Sequence, residues 1–324
     1  MKRQKNGSEN GKDGDVTREE LDPGRFETRW YDGRGFRLAY VHEGRGGVPL
    51  LLVHGWPETK RIWWRVIEPL AAAGFEVIAP DLRNFGESDV APDGFGDVAS
   101  SSLDLHALVH DHLGHERVVV AGGDLGGPII QDMALRFGPF VDRMVLFNSP
   151  LPYDAVRMAG MRTRPQSAHD YFLRQGTDPD GLAAELTTAD QRRRYIATFY
   201  SSRFWAHPGA FDDAAIAFHT EPFGDGAKLR ASWGAYESAF SESARVEPAI
   251  IGPNPVTRTL ILFGPSDHVI YPDFDLMAAV VFDDHVGPFL LRDCGHFVQW
   301  ESAHALSSAV TAFAGDLLGA QRRV

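Results

Sequence analysis

Three side chains in this sequence have the types and the order of a carboxylate–histidine relay, and each lies just past an apolar run. Val118–Ala121 leads into Gly122-Gly123-Asp124-Leu125-Gly126-Gly127. Small residues around a single acidic one, between a strand and a helix, suit a sharp turn that presents a nucleophile. The chain holds no G-x-S-x-G, so the reactive position falls to the carboxylate of Asp124. Taken alone, Asp124 also reads, less favourably, as a turn residue capping the next helix. Two further residues shift the balance. Leu260–Phe263 is followed by Gly264-Pro265-Ser266-Asp267-His268, and Cys294-Gly295-His296-Phe297 lies just past Pro288–Leu291. Asp267 could be a loop cap and His296 a satisfied core histidine. Three such residues at strand ends, ordered nucleophile, acid, histidine, favour chemistry instead. A carboxylate that attacks carbon forms an ester, and a histidine held by a second carboxylate can deprotonate the water that cleaves it.

Such residues need a scaffold that brings strand ends together. The sequence predicts a β-pair at Thr28–Tyr31 and Arg37–His42, joined by the turn Asp32-Gly33-Arg34-Gly35. Further strands are predicted at Leu50–Val53, Glu76–Ala79, Val118–Ala121, Met144–Phe147, Leu260–Phe263 and Pro288–Leu291. Helical spacing falls at Trp63–Ala73, Leu103–Leu113, Pro128–Leu135 and Ser302–Leu318. This alternation predicts an α/β fold, a mostly parallel sheet flanked by helices, with chemistry at the C-terminal strand ends. Residues 151–247 have little strand character but many bulky aromatics at helical spacing, which predicts an inserted helical cap. The core is then 23–150 and 248–324. Residues 1–22, with Met1, Val16 and Leu21 as their only apolar aliphatics, read as a disordered tail.

The segment after Leu50–Val53 carries a family resemblance. His54-Gly55-Trp56-Pro57 resembles the HGxP motif of the α/β-hydrolase epoxide hydrolases. Asp81-Leu82-Arg83-Asn84-Phe85-Gly86-Glu87-Ser88-Asp89 is similar to that family's D-x-R-G-x-G-x-S-D segment, with Asn84 in place of the usual glycine. The resemblance runs from Phe26 to Leu318, and Asp124, Asp267, His296 follow the family's triad order. It implies the α/β-hydrolase fold and an epoxide hydrolase. Asp124 would open the epoxide to give an ester, and water activated by His296, itself oriented by Asp267, would release a vicinal diol. The backbone N–H groups of Trp56 and Leu125 would form the oxyanion hole, with His54, Pro57 and Phe297 lining the substrate pocket. Two cap tyrosines would protonate the epoxide oxygen. Tyr171, in Asp170-Tyr171-Phe172-Leu173-Arg174-Gln175, resembles the first; Tyr236, in Trp233-Gly234-Ala235-Tyr236-Glu237, resembles the second, with Glu237 where arginine is usual. Otherwise both are packing aromatics, and Tyr153, Tyr200 and His169 are the alternatives.

The residue types suit an epoxide. A serine would give an ether, which water does not readily cleave, whereas an aspartate gives an ester. A phenol, with a pKa of about 10, stays protonated at neutral pH and can donate to the nascent alkoxide. The expected partners are a small epoxide and water, with no cofactor and no metal.

HGxP also occurs in haloalkane and haloacetate dehalogenases, which use the same aspartate ester. A halide needs N–H donors, commonly a tryptophan or arginines just after the nucleophile. Leu125-Gly126-Gly127-Pro128 supplies neither, which leaves Trp56, Trp205 or Trp233. A non-catalytic ligand receptor on a hydrolase fold is the remaining alternative. His106 and His110 stand four apart on a predicted helix, with no third metal ligand evident nearby.

Composition bounds these readings. The 324 residues carry 32 Lys and Arg against 44 Asp and Glu, a net charge of −12, which argues against nucleic acid and anionic membranes as partners. The single cysteine, Cys294, excludes an intrachain disulfide, and no apolar run reaches the roughly 18–20 residues that cross a bilayer. The expected location is the cytoplasm; the oligomeric state is open.

Overall fold

Apolar runs bounded by turn residues become the strands of a single sheet. They are β1 (Thr28–Gly33), β2 (Phe36–Glu43), β3 (Val48–Val53), β4 (Phe75–Pro80), β5 (Val118–Gly122), β6 (Val141–Phe147), β7 (Arg258–Phe263) and β8 (His285–Leu290). The computed structural model describes residues 19–165, 170–241 and 247–321. The strand order is β1-β2-β4-β3-β5-β6-β7-β8. β2 pairs antiparallel with β1 and β4, and every other pairing is parallel. The first hairpin turns on Arg34 and Gly35, at φ 51° and 87°, a twist that matches the flanking strands. β4 and β5 are buried along their whole length, as strands covered on both faces must be. The α/β class and the mostly parallel sheet are those the sequence predicts.

Helices Trp64–Ala73 and Ala303–Phe313 pack on each other, and Val98–His106 packs on Gly126–Arg136. The predicted helix at Leu103–Leu113 starts earlier, where Asp97 and Ser100 form a reciprocal capping box, and passes into a π-helix at Ala107–His112. The predicted helix at Ser302–Leu318 is two, Ala303–Phe313 and Gly315–Gln321, parted at Ala314. Phe274–Val281 is a helix that periodicity did not single out. Of the predicted N-terminal tail, residues 1–18 lie outside the described residues. Its last residue docks: Trp64 Nε1 donates to the Asp22 carbonyl at 3.0 Å.

Between β6 and β7 the chain forms six α-helices among the described residues: Asp170–Thr177, Pro179–Glu185, Ala189–Tyr200, Asp213–Thr220, Gly226–Ala231 and Gly234–Phe240. Their aromatic side chains meet Trp56, in the loop after β3. No helix among the described residues is long and apolar enough to cross a membrane.

Candidate active site

β5 ends at Gly122, and the chain turns sharply into helix Gly126–Arg136. Asp124 occupies the turn at φ 45°, in the left-handed region where a residue with a side chain is strained. Its N–H is held by the Asn148 carbonyl at 2.9 Å. The turn fits only because its neighbours are small. A Cβ on Gly127 would lie 1.8 Å from Ser149 Oγ, and one on Gly55 would lie 2.5 Å from Asp124 Cβ. The second contact lets the β3 loop touch the carboxylate, and Trp56 N–H donates to Asp124 Oδ1 at 2.6 Å. Leu125 immediately precedes helix Gly126–Arg136, where first-turn N–H groups have no partner within the helix.

β7 and β8 deliver the other two residues. His296 Nδ1 is 2.8 Å from Asp267 Oδ2, and its Nε2 faces Asp124 Oδ2 at 3.2 Å without hydrogen-bond alignment. Asp267 Oδ1 accepts the N–H groups of Val269 and Ile270 at 2.6 and 3.2 Å. All three side chains are buried. Burial alone would lower the His296 pKa, but Asp267 and Asp124 outweigh it and hold the ring protonated well above the ordinary histidine range.

Aromatic rings from the inserted helices form the facing wall. Tyr171 lies parallel to Trp56, with centroids 5.8 Å apart, and Tyr236 stands edge-on to it at 5.7 Å. The two tyrosines meet at 6.1 Å, and Trp205 lies 4.7 Å from His296. Burial, then the Asp124 charge, raises both tyrosine pKa values well above 10, so both phenols keep their protons. Of the alternatives, Tyr153 is largely exposed, and Tyr200 donates its hydroxyl to the Pro57 carbonyl at 2.7 Å. His169 lies outside the described residues. An arrangement with a carboxylate, a carboxylate-bound histidine, a backbone N–H and two protonated phenols can form an ester, protonate a leaving oxygen and cleave the ester with water.

Comparison with known proteins agrees with this architecture. A family model for the alpha/beta hydrolase fold matches residues 48–303. The chain belongs to the α/β-hydrolase fold family. Among characterised relatives, a soluble epoxide hydrolase from a Corynebacterium is 30% identical over 86% of this chain and 94% of its own. Haloalkane dehalogenase 2 of Mycobacterium tuberculosis is 31% identical over 88% and 94%. Among solved structures, an epoxide hydrolase from Vigna radiata superposes with a TM-score of 0.74 at 17% identity, covering 91% of this chain and 99% of that one. These likenesses tie the chain to the epoxide hydrolase branch of the α/β hydrolases and leave the reaction itself to the site.

Several residues of this α/β hydrolase support the site beyond the triad. Of these the sequence reading singles out Glu58, against the site or as a helix cap, and His54 and Phe297 as pocket residues, but not Asn148 or Glu301. Asn148, at the end of β6, donates through Nδ2 to Asp267 Oδ2 at 2.8 Å and accepts Gly264 N–H at 2.8 Å. It lies just past a strand, as the triad residues do, but an amide there carries no catalytic signature of its own in the sequence. Glu301 accepts the N–H groups of Gly295 and Phe297 at 2.8 and 2.9 Å, bracketing His296. Glu58 accepts Gly55 N–H at 2.7 Å, and burial pushes its pKa up to about 7. His54, expected in the substrate pocket, has both ring nitrogens engaged by backbone: Nδ1 with the Gly55 carbonyl at 2.8 Å and Nε2 with Leu82 N–H at 3.0 Å. Phe297 is fully buried, stacked on Tyr200 at 4.7 Å and edge-on to His296 at 5.3 Å. Asn84 has φ 71°, a conformation asparagine tolerates almost as well as the glycine it replaces.

His106 and His110 do have a companion. Their ligand atoms and one from Asp111 all lie within 4.8 Å of one another. His110 Nδ1 already bonds Asp111 at 2.7 Å, and the His106 ring is stacked on Phe137 at 3.8 Å.

Proposed function

We propose that this protein is an epoxide hydrolase that converts an epoxide to a vicinal diol through an ester on Asp124. The observation that carries the reading is the pair of protonated tyrosines, half-buried Tyr171 and buried Tyr236, packed around Trp56 within electrostatic reach of the Asp124 carboxylate. A halide leaving group has no use for two phenol acids. It needs N–H donors, and the Trp56 indole N–H donates to Ser232 at 3.2 Å. Trp233 lines a cavity with Leu186 and Leu229, and its buried indole N–H has no hydrogen-bond partner, which leaves Trp205 and Trp233 as the indoles for that role.

In this reading the inserted helices cap the sheet. Asp124 attacks an epoxide carbon, the C–O bond breaks, and Tyr171 or Tyr236 gives its proton to the alkoxide. The ester removes the negative charge facing His296. The imidazolium then yields its proton to the tyrosinate, and the neutral ring becomes a base. It takes a proton from water as the water oxygen adds to Asp124 Cγ. The N–H groups of Trp56 and Leu125 stabilise the oxyanion and Asp267 holds the imidazolium. Collapse breaks the ester C–O bond, and the leaving oxygen takes the proton of the hydroxyl that water added. The diol departs from a restored Asp124 carboxylate with His296 again protonated.

The test is the intact mass of His296→Gln after exposure to panels of epoxides and alkyl halides. Without the base the ester should accumulate, and a mass gain equal to a whole epoxide is the expected result. A gain equal to an alkyl group with halide released would make the protein a dehalogenase. No adduct from either panel, together with ligand binding retained in Asp124→Ala, would make it a receptor.

A further inference from the structure

One turn along the helix that carries Tyr171 stands a polar residue the proposed chemistry does not use. Gln175 follows Tyr171 by four residues in helix Asp170–Thr177, which puts both on the same face, with Cβ atoms roughly 5–6 Å apart. The Gln175 side chain is fully buried. Its Nε2 donates to Tyr195 Oη at 2.9 Å, while its Oε1 has no hydrogen-bond partner. Turning the amide over only exchanges the problem: Oε1 would then accept the Tyr195 hydroxyl, and the NH2 group would be left unpaired. Either way, one polar amide atom is buried without a partner, which proteins avoid unless something else supplies it.

The surroundings tie Tyr195, the hydrogen-bond partner of this amide, to the site. The Tyr195 ring is edge-on to Phe199 at 5.3 Å, and Phe199 in turn meets Tyr171 at 5.4 Å and Trp56 at 4.9 Å. The Tyr195 hydroxyl also raises the pKa of both Tyr171 and Tyr236, so the three phenols share one region. Helix Asp170–Thr177 cannot move off to relieve the amide. At Gly176 a Cβ would fall 2.2 Å from the Phe240 ring, so this helix is seated tightly on Gly234–Phe240.

We propose that Gln175 and Tyr195 form a polar subsite for a hydroxyl group of the substrate, so that the preferred substrates are epoxides bearing a hydroxyl on the chain beyond the ring. A hydroxyl both donates and accepts. It satisfies Gln175 Oε1 while accepting from the Tyr195 hydroxyl, or satisfies the amide NH2 in the other orientation. The epoxide oxygen stays with Tyr171 and Tyr236, and the subsite reads the chain about one helical turn away. This inference rests on the epoxide reading and deepens it by naming the substrate class.

The experiment compares a short terminal alkyl epoxide with the same epoxide carrying a hydroxyl at its far end. For the native protein, kcat/KM should favour the hydroxylated compound by about tenfold, the value of one good buried hydrogen bond. The preference should lie in KM. In Gln175→Leu the ratio should fall to about one, and in Tyr195→Phe, which removes a single oxygen, it should fall several-fold. A ratio near one in the native protein overturns the subsite, as does a ratio that survives in both variants. Should Gln175→Leu not fold, Tyr195→Phe decides alone. Failure of the underlying reading is distinct: neither epoxide would then be turned over by the native protein, nor leave an adduct on His296→Gln.

Discussion

At the scale of single residues, the position of His296 between Asp267 and Asp124 determines when it can act as a base. With both carboxylates charged, its proton is held well above the ordinary range, so the resting ring is a poor base. In the proposed reaction, forming the ester removes one of those charges. Asp124→Asn imitates that neutral state, and in it His296 should titrate at lower pH than in the native protein, as followed by proton NMR of the imidazole. Identical midpoints would show that Asp124 does not govern the base. The tyrosines offer a second check. Replacing both Tyr171 and Tyr236 by Phe should slow ring opening by about 10²–10⁴-fold with an unchanged circular dichroism spectrum, whereas substantial residual turnover would remove them as the acids. Asp124, Asp267 and His296 were visible in the sequence because catalytic residues at strand ends sit beside recognisable apolar runs. Asn148 was not, because its partners are 116 and 119 residues away and a polar residue after a strand looks like any loop residue. Glu301 was hidden for the same reason: its ligands are backbone N–H groups, which leave no trace in side-chain type.

At the scale of elements, the site depends on two loops touching. Gly55, after β3, allows Trp56 N–H to reach Asp124, and the turn after β5 holds Asp124 at a positive φ. Gly55→Ala would drive a methyl group into the carboxylate, since the added Cβ meets Asp124 Oδ1 at 2.5 Å. We expect kcat/KM to fall by at least about tenfold, because a misplacement of this size at the reacting group costs up to ~100-fold. Steady-state kinetics beside a thermal melt checks this; unchanged activity would mean that the loop shifts freely. The strands were legible because a run such as Leu50–Val53 must be covered on both faces. Elements whose pattern is ambiguous were not. Phe274–Val281 is a short apolar run that periodicity cannot assign, and the π-helix at Ala107–His112 departs from the spacing on which helix reading depends.

At the scale of the whole molecule, the joint between the inserted helices and the sheet domain carries an acid-sensitive group. His219, in helix Asp213–Thr220, is fully buried, stacked on Tyr200 at 5.2 Å and edge-on to Trp300 at 4.4 Å. Neither ring nitrogen has a hydrogen-bond partner. Burial, then the charges of Arg61 and Arg65, depresses its pKa well below 6.5. The unfolded chain therefore binds a proton that the folded one refuses. The stability this histidine permits is intact above about pH 6.5 and declines as pH falls toward the depressed value. His219→Phe should flatten that decline, melting a few degrees above the native protein at pH of about 5 and closer to it at pH of about 8. Parallel melting curves at both pH values would rule out His219 as the acid-sensitive group.

The order of the sheet also sets the order in which the site comes into being during synthesis. Asp124 and the Trp56 loop belong to the first half of the chain, while Asp267 and His296 follow β7 and β8, the last strands added at one edge. At ribosomal speeds of about 5–20 residues per second, the stretch from Asp124 to His296 takes roughly 10–30 seconds to emerge. For that interval a nascent chain holds its proposed nucleophile without its proposed base. On the epoxide hydrolase reading proposed above, any epoxide captured then would stay bound as an ester until the C-terminal strands dock, so a reactive substrate would mark the unfinished protein before it could be turned over.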